Sequence, residues 1–104
     1  MKHLPFDSFE WDEGNKDKNL EKHGIGKEAI EALFHAQPFF TDDTRHSRQE
    51  QRFVAVGISG VGRWMMVSFT IRTIAGKRFL RPISARYMHA KEVKYYERIH
   101  QESK

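Results

Sequence analysis

The hydrophobic pattern divides the chain into a front half with one helical stripe and a back half of alternating runs. Three β-rich runs occupy residues 50–86. Phe53-Val54-Ala55-Val56-Gly57-Ile58 is followed by a turn at Ser59-Gly60-Val61-Gly62. Residues 63–72 return as Arg63-Trp64-Met65-Met66-Val67-Ser68-Phe69-Thr70-Ile71-Arg72. A second turn at Ala75-Gly76-Lys77 leads into Arg78-Phe79-Leu80-Arg81-Pro82-Ile83-Ser84-Ala85-Arg86. Short β-rich runs separated by glycine turns predict an antiparallel meander. In its middle run, Met65, Val67, Phe69 and Ile71 share one face, the expected core face, and Ser68, Thr70 and Arg72 share the other. Pro82 breaks the alternation in the last run. It has no N–H to donate, so it predicts an edge position or a bulge.

Ahead of the meander, Phe9 and Trp11 fall on one side of an extended segment, predicting a short edge strand. Glu13 to His23 is charged and predicts a surface helix with Asp12 as N-cap, Leu20 as its thin apolar seam and Gly24 as its stop. Lys27 to His35 predicts a helix packed on the sheet through Ala29, Ile30, Leu33 and Phe34. Pro38 ends it, and Phe39-Phe40 suits a brief strand. Asp42 to Gln49 reads as a polar loop. His89 to about Gln101 predicts a last helix, with Tyr96, Ile99 and either Val93 or Tyr95 on its apolar side. Two N-terminal helices and a C-terminal helix set beside an antiparallel sheet with a three-stranded meander make an α+β domain spanning residues 1–104.

Charge sharpens this picture. Of the formal +4, residues 1–40 carry five Lys against eight acidic residues, and residues 41–104 carry thirteen Lys or Arg against six. A basic sheet half calls for an anionic partner, whether nucleic acid or an acidic protein. The chain has no cysteine, so it offers neither disulfides nor a thiolate metal site, in keeping with a cytoplasmic location. No apolar run approaches a membrane span, and the first residues lack the apolar core of a signal peptide.

The run Gly57-Ile58-Ser59-Gly60-Val61-Gly62 is GxxGxG and lies between two strands. A phosphate loop needs a helix N-terminus behind it, so this is a hairpin turn. Six histidines (His3, His23, His35, His46, His89, His100) show no metal-ligand spacing, and no cofactor or metal is expected. The cluster Glu50, Arg52, Arg63, Arg72, Arg81 and Arg86 carries the chemistry. Arginines can hold phosphates and stabilise charge developing on one of them. No carboxylate cluster of the kind that binds Mg²⁺ accompanies them. The phosphodiester chemistry such residues support is attack by the RNA 2′-hydroxyl, with one group to take its proton and another to protonate the leaving oxygen. His23, His46 and Glu50 are the candidate proton carriers. Trp64 or Tyr87 could stack on an unpaired base, although a packed Trp64 is the plainer expectation.

The segments Phe9-Glu10-Trp11-Asp12-Glu13-Gly14-Asn15 and Asn19-Leu20-Glu21-Lys22-His23-Gly24-Ile25 resemble the N-terminal signature of the BrnT toxin family. The resemblance continues through His46-Ser47, residues 50–57, Gly62-Arg63, Thr70-Ile71-Arg72, residues 81–86, Glu92 and Tyr96-Glu97. The combination of the FEWDEG start, the KHG turn and the ISAR strand is specific. It implies a RelE-like fold and a metal-independent endoribonuclease toxin of a bacterial toxin–antitoxin pair. It also implies a partner, a ribbon-helix-helix antitoxin of the BrnA type that neutralises the toxin by direct binding in a hetero-oligomer. On this resemblance His23, Glu50, Arg63, Arg72 and Arg86 are the expected catalytic residues, and Arg52, Arg81 and Lys22 the expected RNA contacts. Pro82, where the family prefers a β-branched residue, the apolar Thr73–Lys77 insert and Val93, where an Arg is usual, depart from the pattern. The Val93 departure weighs against an RNA contact by the last helix. The rival reading is a catalytically inactive, toxin-like binding module for an acidic partner or a nucleic acid. A metal-dependent nuclease, marked by sensitivity to EDTA, is a third.

Overall fold

The computed structural model describes residues 6–36, 38–42 and 51–102. Its elements run β1 (Ser8–Phe9), α1 (Lys18–His23), α2 (Lys27–His35), β2 (Phe39–Asp42), β3 (Phe53–Ile58), β4 (Trp64–Ile74), β5 (Lys77–Tyr87) and α3 (Ala90–Glu102). The strands form one sheet in the order β1-β5-β4-β3-β2. The fold is α+β as expected, but the sheet is mixed. Strands β2 to β5 pair antiparallel, whereas β1 lies parallel to β5, with Ser8 opposite Phe79 and Phe9 opposite Leu80. Two helices and three strands separate β1 from β5, so the chain is free to lay its first strand either way round. Neither strand's own sequence encodes that direction.

The β4–β5 turn is Ala75-Gly76, with φ of 53° and 81°. Positive φ at both central residues is what a two-residue hairpin of right-twisted strands requires. The β3–β4 turn closes through Ser59 N–H to the Arg63 carbonyl (2.7 Å) and Gly62 N–H to the Ser59 carbonyl (2.9 Å), which confirms the hairpin. Gly57 belongs to β3 itself. A Cβ there would stand 2.9 Å from Leu33 Cδ1 and 3.3 Å from Pro38 Cβ, so glycine lets α2 and its exit approach the sheet.

One face of the sheet carries Met65, Val67, Phe69, Ala55, Leu80 and Ala85, packed under Ile30, Leu33 and Phe34 of α2 and under Ile25. The other face begins with Val56, Trp64 and Met88, covered by Val93 and Tyr96 of α3. Trp64 is therefore packed. Tyr95 is exposed and Val93 faces the sheet, which settles the alternative left by periodicity. Past α3 this second face continues along β4 through Ser68, Thr70 and Arg72.

Pro82 marks a β-bulge. Ser68 pairs with Ser84 and Phe69 with Pro82, leaving Ile83 as the extra residue. The bulge restores the facing that parity alone breaks. Leu80 and Ala85, five residues apart, both enter the core, while Arg81 opposite Thr70 and Arg86 opposite Met66 both stand on the second face.

The first helix differs from expectation. It begins at Lys18, and residues 13–17 form turns, because Asp12 and Asn15 bond each other and their neighbours. Asp12 N–H donates to Asn15 Oδ1 (2.8 Å), Gly14 N–H donates to Asp12 Oδ1 (2.8 Å), and the Asn15 and Lys16 N–H groups both reach the Asp12 carbonyl. Such local side-chain bonds compete with helix. Asp17 takes the N-cap place without a side-chain bond, and Gly24 ends the helix at φ 70° as expected. The buried seam is polar: Leu20 is exposed, and Asn15 and Asn19 are buried. The polar loop expected at residues 42–49 lies outside the described residues except for Asp42, the last residue of β2.

Candidate functional site

Where β1 stops after Phe9, the outer edge of β5 would expose its ladder groups. Asn15 Nδ2 donates to the Pro82 carbonyl (2.8 Å) and to the Glu10 carbonyl (3.1 Å), and Asn19 Oδ1 accepts the Ala85 N–H (3.0 Å). These two asparagines dock the 14–23 segment along β5 in the direction of the strand. They bring Lys18 to a cleft at the Arg72 end and carry His23 toward the Tyr87 end.

The cleft holds about 210 Å³ and is lined by Lys18, Arg52, Arg72 and Arg81 around Thr70, with Gly14 and Asn15 at its side. Alternation places Thr70, Arg72 and, through the bulge, Arg81 on one face. Arg52 enters one residue before β3. Two carboxylates from the β1 side fix the guanidinium groups. Asp12 takes Arg81 in a bidentate pair at 2.7 and 3.1 Å, and that pairing holds the Asp12 carboxyl below the usual carboxylate range, helped by the Gly14 N–H. Glu10 Oε1 lies 3.6 Å from Arg72 and 3.8 Å from Arg81. Among the described residues, four cations stand against two carboxylates, a balance that suits an anionic ligand.

Arg86 stands elsewhere. Across the ladder it faces Met66, six residues from Arg72 along β4, or about 20 Å at a strand's rise per residue. Its guanidinium makes a bidentate pair with Glu92 of α3 (3.0 and 2.9 Å), and Glu92 Oε1 also accepts the His89 N–H (2.9 Å). The N3 carboxylate thereby caps α3. Arg86 and the His89 N–H together pull the Glu92 carboxyl down to about 2.

Arg63 is exposed at the start of β4, its Cζ 3.8 Å above the centre of the Tyr87 ring, a cation–π contact. His23 and Lys22 are exposed at the end of α1. Glu50 and His46 lie outside the described residues. The structure thus gathers Arg52, Arg72 and Arg81 at one end of the second face. It places Arg86 toward the other end, and Arg63 and His23 toward the Tyr87 end of the sheet.

Lys18, Thr70, Glu10 and Asp12 join this picture although the pattern of the sequence did not single them out. The alternation of β4 does put Thr70 beside Arg72. Nothing local signals that Asp12 and Glu10 cross to β5, because that contact depends on the parallel pairing of β1. Among the described residues, no group of three or more His, Asp or Glu is placed to hold a metal ion. No described helix is long and apolar enough to cross a membrane.

A family model described as "Ribonuclease toxin, BrnT, of type II toxin-antitoxin system" matches residues 11–92. No curated protein gives a match.

Proposed function

Because the chain belongs to the BrnT family of ribonuclease toxins of type II toxin–antitoxin systems, we propose that it is an endoribonuclease that cleaves RNA without a metal ion. The observation that carries this reading is the convergence of Lys18, Arg52, Arg72 and Arg81 on one cleft beside the sheet. It suits a polyanion bound through its phosphates, and an arginine beside a reacting phosphate stabilises the charge that grows in the transition state. The nucleophile in this proposal is the substrate's own 2′-hydroxyl. As it attacks phosphorus, its proton passes to a base and the leaving 5′-oxygen takes a proton from an acid, giving a 2′,3′-cyclic phosphate and a free 5′-hydroxyl. His23 and Glu50 are the proposed acid–base pair. A histidine can change protonation near neutral pH, and an ionised Glu can serve as base.

Arg63, Arg72 and Arg86 are the proposed phosphate-stabilising groups. Arg63 and Arg86 act at the reacting phosphate toward the Tyr87 end, and Arg72, about 20 Å from Arg86 along β4, at another phosphate of the same strand. Arg52, Arg81 and Lys22 are the proposed RNA contacts. For Arg86 the role requires exchange of the Glu92 carboxylate for phosphate. Arg63 would keep its ring contact and offer its outer N–H groups. The RelE-like character of the fold belongs to the same proposal, supported by helices beside a sheet with an antiparallel meander. So do a cytoplasmic site of action and the kind of antitoxin. Type II systems pair a toxin with a protein antitoxin, and we take this one to be of the ribbon-helix-helix, BrnA type, binding the toxin directly.

One observation favours the rival reading of a non-catalytic binding module: Arg81 and Arg86 are each already held by a carboxylate. The test is incubation of antitoxin-free protein with RNA in EDTA. The proposal expects fragmentation that His23→Ala and Arg63→Ala diminish without unfolding the protein. RNA that binds and stays intact would support the binding module. Cleavage abolished by EDTA would support a metal-dependent nuclease.

A further inference from the structure

Thr70 is fully buried in the middle of β4, and its hydroxyl has no hydrogen-bond partner. Valine has the same shape and would fill this position without burying an unsatisfied polar group. Packing therefore does not explain the hydroxyl. Its location does point to a use, because Thr70 belongs to the lining of the cleft walled by Lys18, Arg52, Arg72 and Arg81. A hydroxyl donor among four cations matches the oxygens of a phosphate group, which accept hydrogen bonds and carry negative charge. The walls are braced in advance. Asp12 holds the Arg81 fork, and Glu10 Oε1 stands 3.6 and 3.8 Å from Arg72 and Arg81 without hydrogen-bonding either. A bound phosphate therefore meets an Arg81 that is already oriented. The Asn15 and Asn19 bonds to β5 hold the segment that carries Lys18 beside the cleft.

We propose that this cleft is a phosphate subsite that grips a non-scissile phosphate group of bound RNA. The Thr70 hydroxyl donates to it, and Lys18, Arg52 and Arg72 neutralise it. The subsite is distinct from the end of the sheet that carries Arg86 and Tyr87: Thr70 lies four residues and Arg72 six residues along β4 from Met66, which faces Arg86, or about 13 and 20 Å at a strand's rise per residue. It would set how far from the scissile bond the RNA is anchored. The assignment to RNA rests on the nuclease reading above. The affinity for phosphate oxygens does not.

The experiment follows inorganic phosphate titrated into the isotope-labelled full-length chain by NMR, with sulfate-free buffer throughout. The expected result is saturable shifts at the Gly14, Asn15, Thr70 and Arg72 amides, with Kd raised at least tenfold in Thr70→Val and in Lys18→Met and unchanged in Lys94→Met on α3. Thr70→Val should also be no less stable to urea than the parent chain, so weaker binding there cannot come from unfolding. A non-cleavable 2′-O-methyl oligoribonucleotide should compete for the same shifts. Absence of saturable shifts, or wild-type affinity in both Thr70→Val and Lys18→Met, would overturn the subsite. Phosphate binding without competition by the oligonucleotide would overturn its assignment to RNA. Competition by an oligonucleotide whose cleavable counterpart stays intact would uphold the subsite and remove the nuclease reading instead.

Discussion

The side-chain oxygen of Asn19 accepts the backbone N–H of Ala85 at 3.0 Å, across 66 positions of sequence and in the buried interior. It does what a sixth strand would do. Beyond the short pairing with β1, the outer edge of β5 has no neighbouring strand among the described residues, and an unpaired ladder is both costly when buried and a template for association. Asn15 does the same for the Pro82 carbonyl. Asn19→Ala should therefore destabilise the protein by about 1–3 kcal/mol, because it strands a buried donor. Leu20→Ala, one residue on and exposed, should change stability by about 0.5 kcal/mol or less. Urea denaturation of the two variants checks the contrast.

The Arg86–Glu92 pair makes stability depend on acid. Folding lowers the Glu92 carboxyl from its ordinary 4.5 to about 2. The folded state therefore favours the ionised form. The contribution is complete above the ordinary value and is lost as pH falls from there through the folded value. Since the two side chains are 37% and 31% exposed, solvent screens the pair and the effect should be about 1 kcal/mol. Glu92→Gln should cost that much near neutral pH and make the pH 5 to pH 2 loss shallower than in the parent chain. Thermal unfolding across that range measures both. Equal stability of the two chains at every pH would mean that the cap on the His89 N–H, which Gln can also make, and not the charge, is what Glu92 supplies.

If Arg52 and Arg72 each meet an RNA phosphate, each should leave its mark on the salt dependence of binding. On non-cleavable single-stranded RNA, Arg52→Ala or Arg72→Ala should lower the slope of log K against log salt by about 0.7. Affinity should fall similarly for unrelated sequences, since phosphate contacts carry no base information. Fluorescence anisotropy over a salt series reads the slope. A loss of affinity with unchanged slope would point to an altered fold instead.

Much of the frame was legible in the sequence because it follows from local periodicity. The α2 stripe and the core face of β4 obey their repeats, and the hairpins carry their own glycine turns. The Pro82 irregularity could be seen but not resolved. Whether Arg81 and Arg86 share a face depends on the residue inserted by the bulge, which no alternation rule supplies. The failures lie where distant segments meet. The direction of β1 against β5 decides that Glu10 and Asp12 reach Arg72 and Arg81, and no local pattern encodes it. Periodicity selects an apolar seam for α1 and so points to Leu20, whereas the buried residue is Asn19. Buried asparagines are legible only once the unpaired edge that needs them is known. The arginines were found by their density. What divides them is their partners: Asp12 for Arg81, Glu92 for Arg86 and the Tyr87 ring for Arg63.

The central claim is that the RNA supplies its own nucleophile and no metal is needed. It is tested most directly with a labelled oligoribonucleotide cleaved at a mapped position by antitoxin-free protein in EDTA. The same oligonucleotide is then made with a single 2′-deoxy residue immediately 5′ to that bond. The account predicts cleavage of the first with a 2′,3′-cyclic phosphate at the new end, and no cleavage of the second at that bond. Cleavage at the deoxy position, or activity that vanishes in EDTA and returns with a divalent metal ion, would contradict it.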